Sequence, residues 1–228
     1  MVVAMKRVIA LNLKTYAEST GEAGEKLCEV VEKVAENAKT AEIIACPQAP
    51  FLAQAAKKSK HSIVFAQSCD AAKPGQSTGA VLPEAVKASG AKGTLVNHSE
   101  KKIVHEQAKE VVERCAKLGL RVIACADTVS EAVALAKFSP WAVAVEPPEL
   151  IGSGISVSSA RPDVVVESVR EIKRTNPNVL ALVGAGVSTA GDVAKSIELG
   201  ADGVLLASAF VKSKEPAKLL AEMAEALG

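Results

Sequence analysis

Short runs of aliphatic and β-branched residues alternate along this chain with longer segments in which apolar positions recur every three or four residues. The short runs predict strands near 7–12, 43–46, 63–67, 93–97, 121–125, 141–146, 180–184 and 203–207. The longer segments predict helices near 22–38, 50–58, 83–89, 101–118, 129–137, 163–174, 189–199 and 216–227. Pro83, Pro162 and Pro216 stand where helices begin, since a first-turn residue has no intrahelical use for the N–H that proline lacks. Ser99 reads as the N-cap of the fourth helix, and Gly90, Gly119 and Gly200 read as C-terminal stops. Strands such as "VIAC", "WAVAV" and "GVLLA" are apolar at nearly every position, as in a parallel sheet covered on both faces. An open doubly wound sheet would carry a glycine-rich fingerprint after its first strand, and "ALNLKTYAES" has none. Eight β-α units therefore predict an α/β fold, a single-domain (β/α)8 barrel over residues 1–228, with no linker or low-complexity tract to mark a second domain.

Composition narrows the setting. With 49% hydrophobic and 23% charged residues the chain can bury a sizeable core, and a net charge of +1 removes the usual electrostatic reason to expect nucleic acid or an anionic membrane as partner. No run approaches the roughly 20 apolar residues of a membrane helix. The five cysteines are odd in number and include no C-x-x-C pair, which argues against a disulfide framework or a zinc knuckle. The stretch 1–13 lacks the apolar core and cleavage site of a signal peptide, so the expectation is a soluble, cytoplasmic protein.

In such barrels the reactive groups gather at the C-terminal ends of the strands. The polar residues found there are Asn12 and Lys14 after strand 1, Gln67 after strand 3, Asn97 and His98 after strand 4, Asp127 after strand 5 and Glu146 after strand 6. A lysine, an imidazole and a carboxylate converging on one mouth suit proton transfer next to a carbonyl. The small residues of "VGAGVST" and "LLASAF" after strands 7 and 8 would let backbone N–H groups approach a phosphate, as in several classes of phosphate-binding barrel. His61 precedes strand 3 and His105 lies in the fourth helix, so both read as surface or packing residues, and no metal site is expected. Cys46 and Cys125 read as buried small hydrophobes rather than nucleophiles.

The N-x-K pattern at Asn12 and Lys14, the run "NHSE" from Asn97 to Glu100, and "VEPPELIGSG" from Val145 to Gly154 resemble the three signature segments of the triosephosphate isomerase family, in that family's order and spacing. The likeness covers essentially the whole chain. It implies a cofactor-free and metal-free TIM barrel of glycolysis and gluconeogenesis that interconverts dihydroxyacetone phosphate and D-glyceraldehyde 3-phosphate. Glu146 would be the base and His98 the electrophile, kept neutral in part by the positive end of the helix that follows it. Lys14 would supply positive charge and Asn12 would position the substrate. Residues 147–154 would form a lid, and the phosphate would meet backbone near Ile151 or Gly152, Gly186, Ala207 and Ser208.

The family's common lid tryptophan and Y-G-G-S-type turn are replaced here by Pro148, Glu149 and "GAGVST". With a shorter chain, these features resemble the family's archaeal branch, which implies a homo-oligomer, a tetramer rather than a dimer, with loop 68–78 at the position that inserts into a neighbouring subunit. Glu100 resembles the family's partner to the active-site lysine, and a first-turn glutamate is equally explained by the helix dipole. Two rival readings are a phosphate-binding barrel isomerase of amino-acid biosynthesis and a catalytically silent barrel retained as a scaffold.

Overall fold

The computed structural model describes residues 7–147 and 162–228. Strands β1 (Arg7–Asn12), β2 (Ala41–Cys46), β3 (Ile63–Ala66), β4 (Gly93–Val96), β5 (Arg121–Ala126), β6 (Ala142–Val145), β7 (Leu180–Val183) and β8 (Gly203–Leu206) close in chain order into a parallel barrel. The ring is sealed by β1 on β8, with Leu11 opposite Leu206, and by β1 on β2, with Ile9 opposite Ile43. The helices are α1 (Gly21–Asn37), α2 (Leu52–Lys58), α3 (Pro83–Ala88), α4 (His105–Lys117), α5 (Val129–Ala136), α6 (Pro162–Thr175), α7 (Ala190–Glu198), α8 (Ser208–Val211) and α9 (Pro216–Glu225). The sequence reading thus holds for all eight strands, and α8 is a short helix that it did not separate from the loop after β8.

Strand alternation divides the core into layers. Val8, Ala10, Ile44, Phe65, Leu95, Ile123, Leu182 and Leu205 share one buried cluster, while their neighbours Ile9, Leu11, Ile43, Val64 and Val122 belong to two other clusters that include residues of the helices. Parallel strands packed on both faces need apolar residues at every position, which explains the unbroken runs in the sequence. Each helix contributes a stripe, as in α1, where Gly24, Leu27, Val31 and Ala35 are buried at helical spacing. Pro83, Pro162 and Pro216 begin α3, α6 and α9, and Gly90, Gly119 and Gly200 take φ of 90°, 69° and 96° past helix ends, as expected of left-handed stops.

The fourth helix departs from expectation. Ser99 opens a 3₁₀ turn, Ser99–Lys101, and α4 begins only at His105. The cap of that turn is His98, whose Nδ1 accepts the Glu100 N–H at 3.1 Å. An imidazole nitrogen within reach of the amide therefore takes the role that the sequence suggests for a serine hydroxyl. Among the described residues no helix is long and apolar enough to cross a membrane.

Candidate active site

The alternation that fills the barrel also aims its upper rim. Continuing the inward positions Val8 and Ala10 by one step reaches Asn12, Ala142 and Ala144 lead to Glu146, Leu180 and Leu182 lead to Gly184, and Leu205 leads to Ala207. These residues line a cleft of about 520 Å³ together with Lys14, His98 and Gly186. The structure therefore brings Asn12, Lys14, His98, Glu146, Gly186, Ala207 and Ser208 to one mouth. Ile151 and Gly152, like most of the expected lid, lie outside the described residues.

Lys14 sits in a left-handed backbone conformation, φ 47°, that few side chains adopt. Neighbouring side chains hold it there. The Asn12 Oδ1 accepts the Lys14 N–H at 3.0 Å, the Gln67 amide donates to the Lys14 carbonyl at 2.9 Å and to that of Cys46 at 3.0 Å, and the Ser19 hydroxyl reaches the Lys14 carbonyl at 3.4 Å. The ammonium group, with its side chain 11% exposed, pairs with Glu100 at 3.0 Å. The Glu100 carboxylate also lies 3.7 Å from His98 Nδ1, whose lone pair is taken by the Glu100 N–H.

Glu146 is buried, and among the described residues its Oε2 has no hydrogen-bond partner. That oxygen lies 3.7 Å from His98 Nε2. Burial pushes the Glu146 carboxyl up to about 7, opposed by a contact with Cys125 and by the positive charge of Lys14. Burial likewise lowers the His98 pKa, with Lys14 as the second cause. The helix-end field expected from the sequence is not needed, since His98 leads into a single 3₁₀ turn rather than a long helix. Because Nδ1 accepts from a backbone N–H, the neutral ring carries its proton on Nε2, the nitrogen that faces Glu146. Cys46 and Cys125 are buried inside the barrel and burial raises both thiols, in keeping with a packing role.

Several cleft residues escaped the sequence reading. Gly184 is one: a Cβ there would overlap Glu146 Cγ and come within 3.0 Å of its Cδ, so the glycine makes room for the carboxylate itself. Its inward position beside Glu146 in the β6–β7 register was the available signal, and Gly184 N–H donates to the Val145 carbonyl at 2.9 Å. Lys212 and Tyr16 also line the cleft, with the ammonium 4.6 Å from the ring centroid. A single exposed lysine at the end of the short helix α8 carries no local signal, so only the fold could find it. His61 is exposed beside Glu36, and His105 stacks edge-on against Phe138, both away from the mouth. Among the described residues no group of three His, Cys, Asp or Glu side chains gathers in a way that could hold a metal ion.

The chain also resembles known proteins along nearly its whole length. Residues 7–226 match the profile of the family described as triosephosphate isomerase. A protein named triosephosphate isomerase from Methanocaldococcus jannaschii is 43% identical over 216 residues, 95% of this chain and 98% of its own. One of the same name from Methanothermus fervidus is 45% identical over 95% of this chain and 96% of its own, and one from Caldivirga maquilingensis is 43% identical over 96% and 97%.

Proposed function

Because the chain belongs to the triosephosphate isomerase family, we propose that it interconverts dihydroxyacetone phosphate and D-glyceraldehyde 3-phosphate through an enediolate, with Glu146 as base and His98 as electrophile. The observation that carries this reading is the buried Glu146 Oε2, without a hydrogen-bond partner among the described residues, facing His98 Nε2 at 3.7 Å in the mouth of the barrel. A carboxylate oxygen with no partner is poised to take a proton from carbon, and its raised pKa of about 7 makes it a stronger base than a solvated glutamate.

The steps balance without an outside reagent. Glu146 removes a proton from C1 of the ketone while the Nε2–H of His98 hydrogen-bonds to the carbonyl oxygen and stabilises the charge that develops on it. Glu146 then returns the proton to C2 while His98 relays the C1 hydroxyl proton to the C2 oxygen, so that the aldehyde forms at C1 and a hydroxyl at C2. A neutral imidazole suits this task because its pKa is better matched to an enediol than an imidazolium's would be. Lys14 adds positive charge beside the oxygens, Asn12 orients the substrate, and backbone N–H groups at Gly186, Ala207 and Ser208 hold the phosphate, joined by Ile151 or Gly152. The protein acts as a homo-oligomer, a tetramer, with no metal or cofactor.

A coupled assay with glyceraldehyde 3-phosphate tests the reading. The intact protein should turn over, and Glu146→Ala or His98→Ala should each cost at least roughly 10²–10⁴-fold in kcat while the protein stays folded. Unchanged turnover in both variants would falsify the assignment, and no turnover by the intact protein would favour the silent-scaffold reading. The pH dependence is set by the base: kcat/KM should fall as pH drops through about 7, where Glu146 becomes protonated. A rate flat from pH 8 to 5 would remove Glu146 from that role.

A further inference from the structure

We propose that Asn97 and Glu131 form a clamp that aims His98 into the cleft, making both of them positioning residues for the reaction; the proposal rests on the reading of His98 given above. β4 ends at Val96, and along that strand Leu95 points into the barrel while Val96 packs outward with the helices. Simple continuation of the strand would send Asn97 inward and His98 outward. The chain instead turns at Asn97 into a left-handed conformation, φ 59°. The turn delivers His98 to the mouth, opposite Glu146, and sends the Asn97 amide sideways toward β5. Whatever holds Asn97 in this conformation therefore sets the direction of the imidazole.

The hold is complete. Asn97 Nδ2 donates to the Cys125 carbonyl at 2.9 Å and to Glu131 Oε1 at 2.8 Å, and its Oδ1 accepts the Ile103 N–H at 3.1 Å. Glu131, in the first turn of α5, is itself fixed. Its Oε2 accepts the Asp127 N–H at 2.7 Å, and Lys102 Nζ reaches its two oxygens at 3.0 and 2.9 Å. Lys102 also pairs with Asp127 at 2.9 Å. A carboxylate on α5 thus ties the ends of β4 and β5 together through the residue that precedes His98. Asparagine tolerates the left-handed region, but a tolerated turn does not require a side chain anchored at both its nitrogen and its oxygen. Fixing an electrophile against a carbonyl to within a fraction of an ångström does, because small misplacements are costly in rate.

The test compares Asn97→Gly and Glu131→Ala with His98→Ala, measuring kcat, KM for glyceraldehyde 3-phosphate and thermal stability. Glycine keeps the left-handed turn but removes the amide, and Glu131→Ala keeps the amide but removes its anchor. Each should lower kcat about tenfold or more with KM within about twofold, since the binding groups are untouched. If Asn97→Gly fails to fold, Glu131→Ala decides alone. Undiminished kcat in the folded variants, or a loss that appears equally in KM as general loosening would produce, overturns the clamp while a disabled His98→Ala leaves the electrophile in place. A fully active His98→Ala overturns both.

Discussion

Glu146 occupies an environment that works against its charge. Burial raises its pKa from an ordinary 4.5 to about 7, so the folded protein binds a proton more readily than the unfolded chain between those two values. Stability should therefore decline as pH rises from about 4.5 to 7 and stay lower above it, by up to about 3 kcal/mol from this group alone. Glu146→Gln, which cannot ionise, should unfold at a higher temperature than the parent protein at pH 8 and at a similar temperature at pH 4.5. Equal melting curves at pH 8 would mean that the carboxylate is not held in a desolvating site. The same crowding makes Gly184 sensitive. Gly184→Ala would push a methyl group against Glu146 Cγ and should lower kcat on the order of a hundredfold by displacing the proposed base, a loss read directly from steady-state kinetics. Near-normal kcat in that variant would show that the carboxylate can move without penalty.

At the level of elements, most helix and strand positions follow from periodicity, and the exceptions occur where chain ends meet the site. α7 is locally specified: Thr189 Oγ1 accepts the Asp192 N–H and the Asp192 carboxylate accepts the Thr189 N–H, a reciprocal cap that the sequence reading, which began the helix at 189, did not single out. Thr189→Ala should destabilise the protein by about 1 kcal/mol, seen as a lower urea midpoint at unchanged slope. An unmoved midpoint would show that this cap contributes nothing to folding. The start of α4 is not specified in this way. Ser99 has the right identity for a cap, yet the turn uses His98 because its ring nitrogen is the acceptor brought within reach of the Glu100 amide. The short helix α8 was equally hidden, since four residues carry too little period to read.

The whole molecule poses the question of assembly. The proposed tetramer should sediment at equilibrium with four times the 23.5 kDa chain mass, and a species of one chain mass at micromolar concentration would remove that proposal. What sequence alone determined is the eightfold alternation, and hence the closed parallel barrel, because each unit's period is set by neighbours a few residues apart. It also placed the polar side chains Asn12, Lys14, His98 and Glu146 at the strand ends, and the folded barrel brings all four to one mouth. Only the tertiary structure decided how these groups behave. Lys14 meets Glu100 across 86 positions of chain, Gly184 makes space for Glu146, and the left-handed turn at Asn97 brings His98 into the mouth. The burial that raises the Glu146 pKa and lowers that of His98 arises when the barrel closes around them. Desolvation depends on residues distant in sequence, so no local pattern could have recorded it.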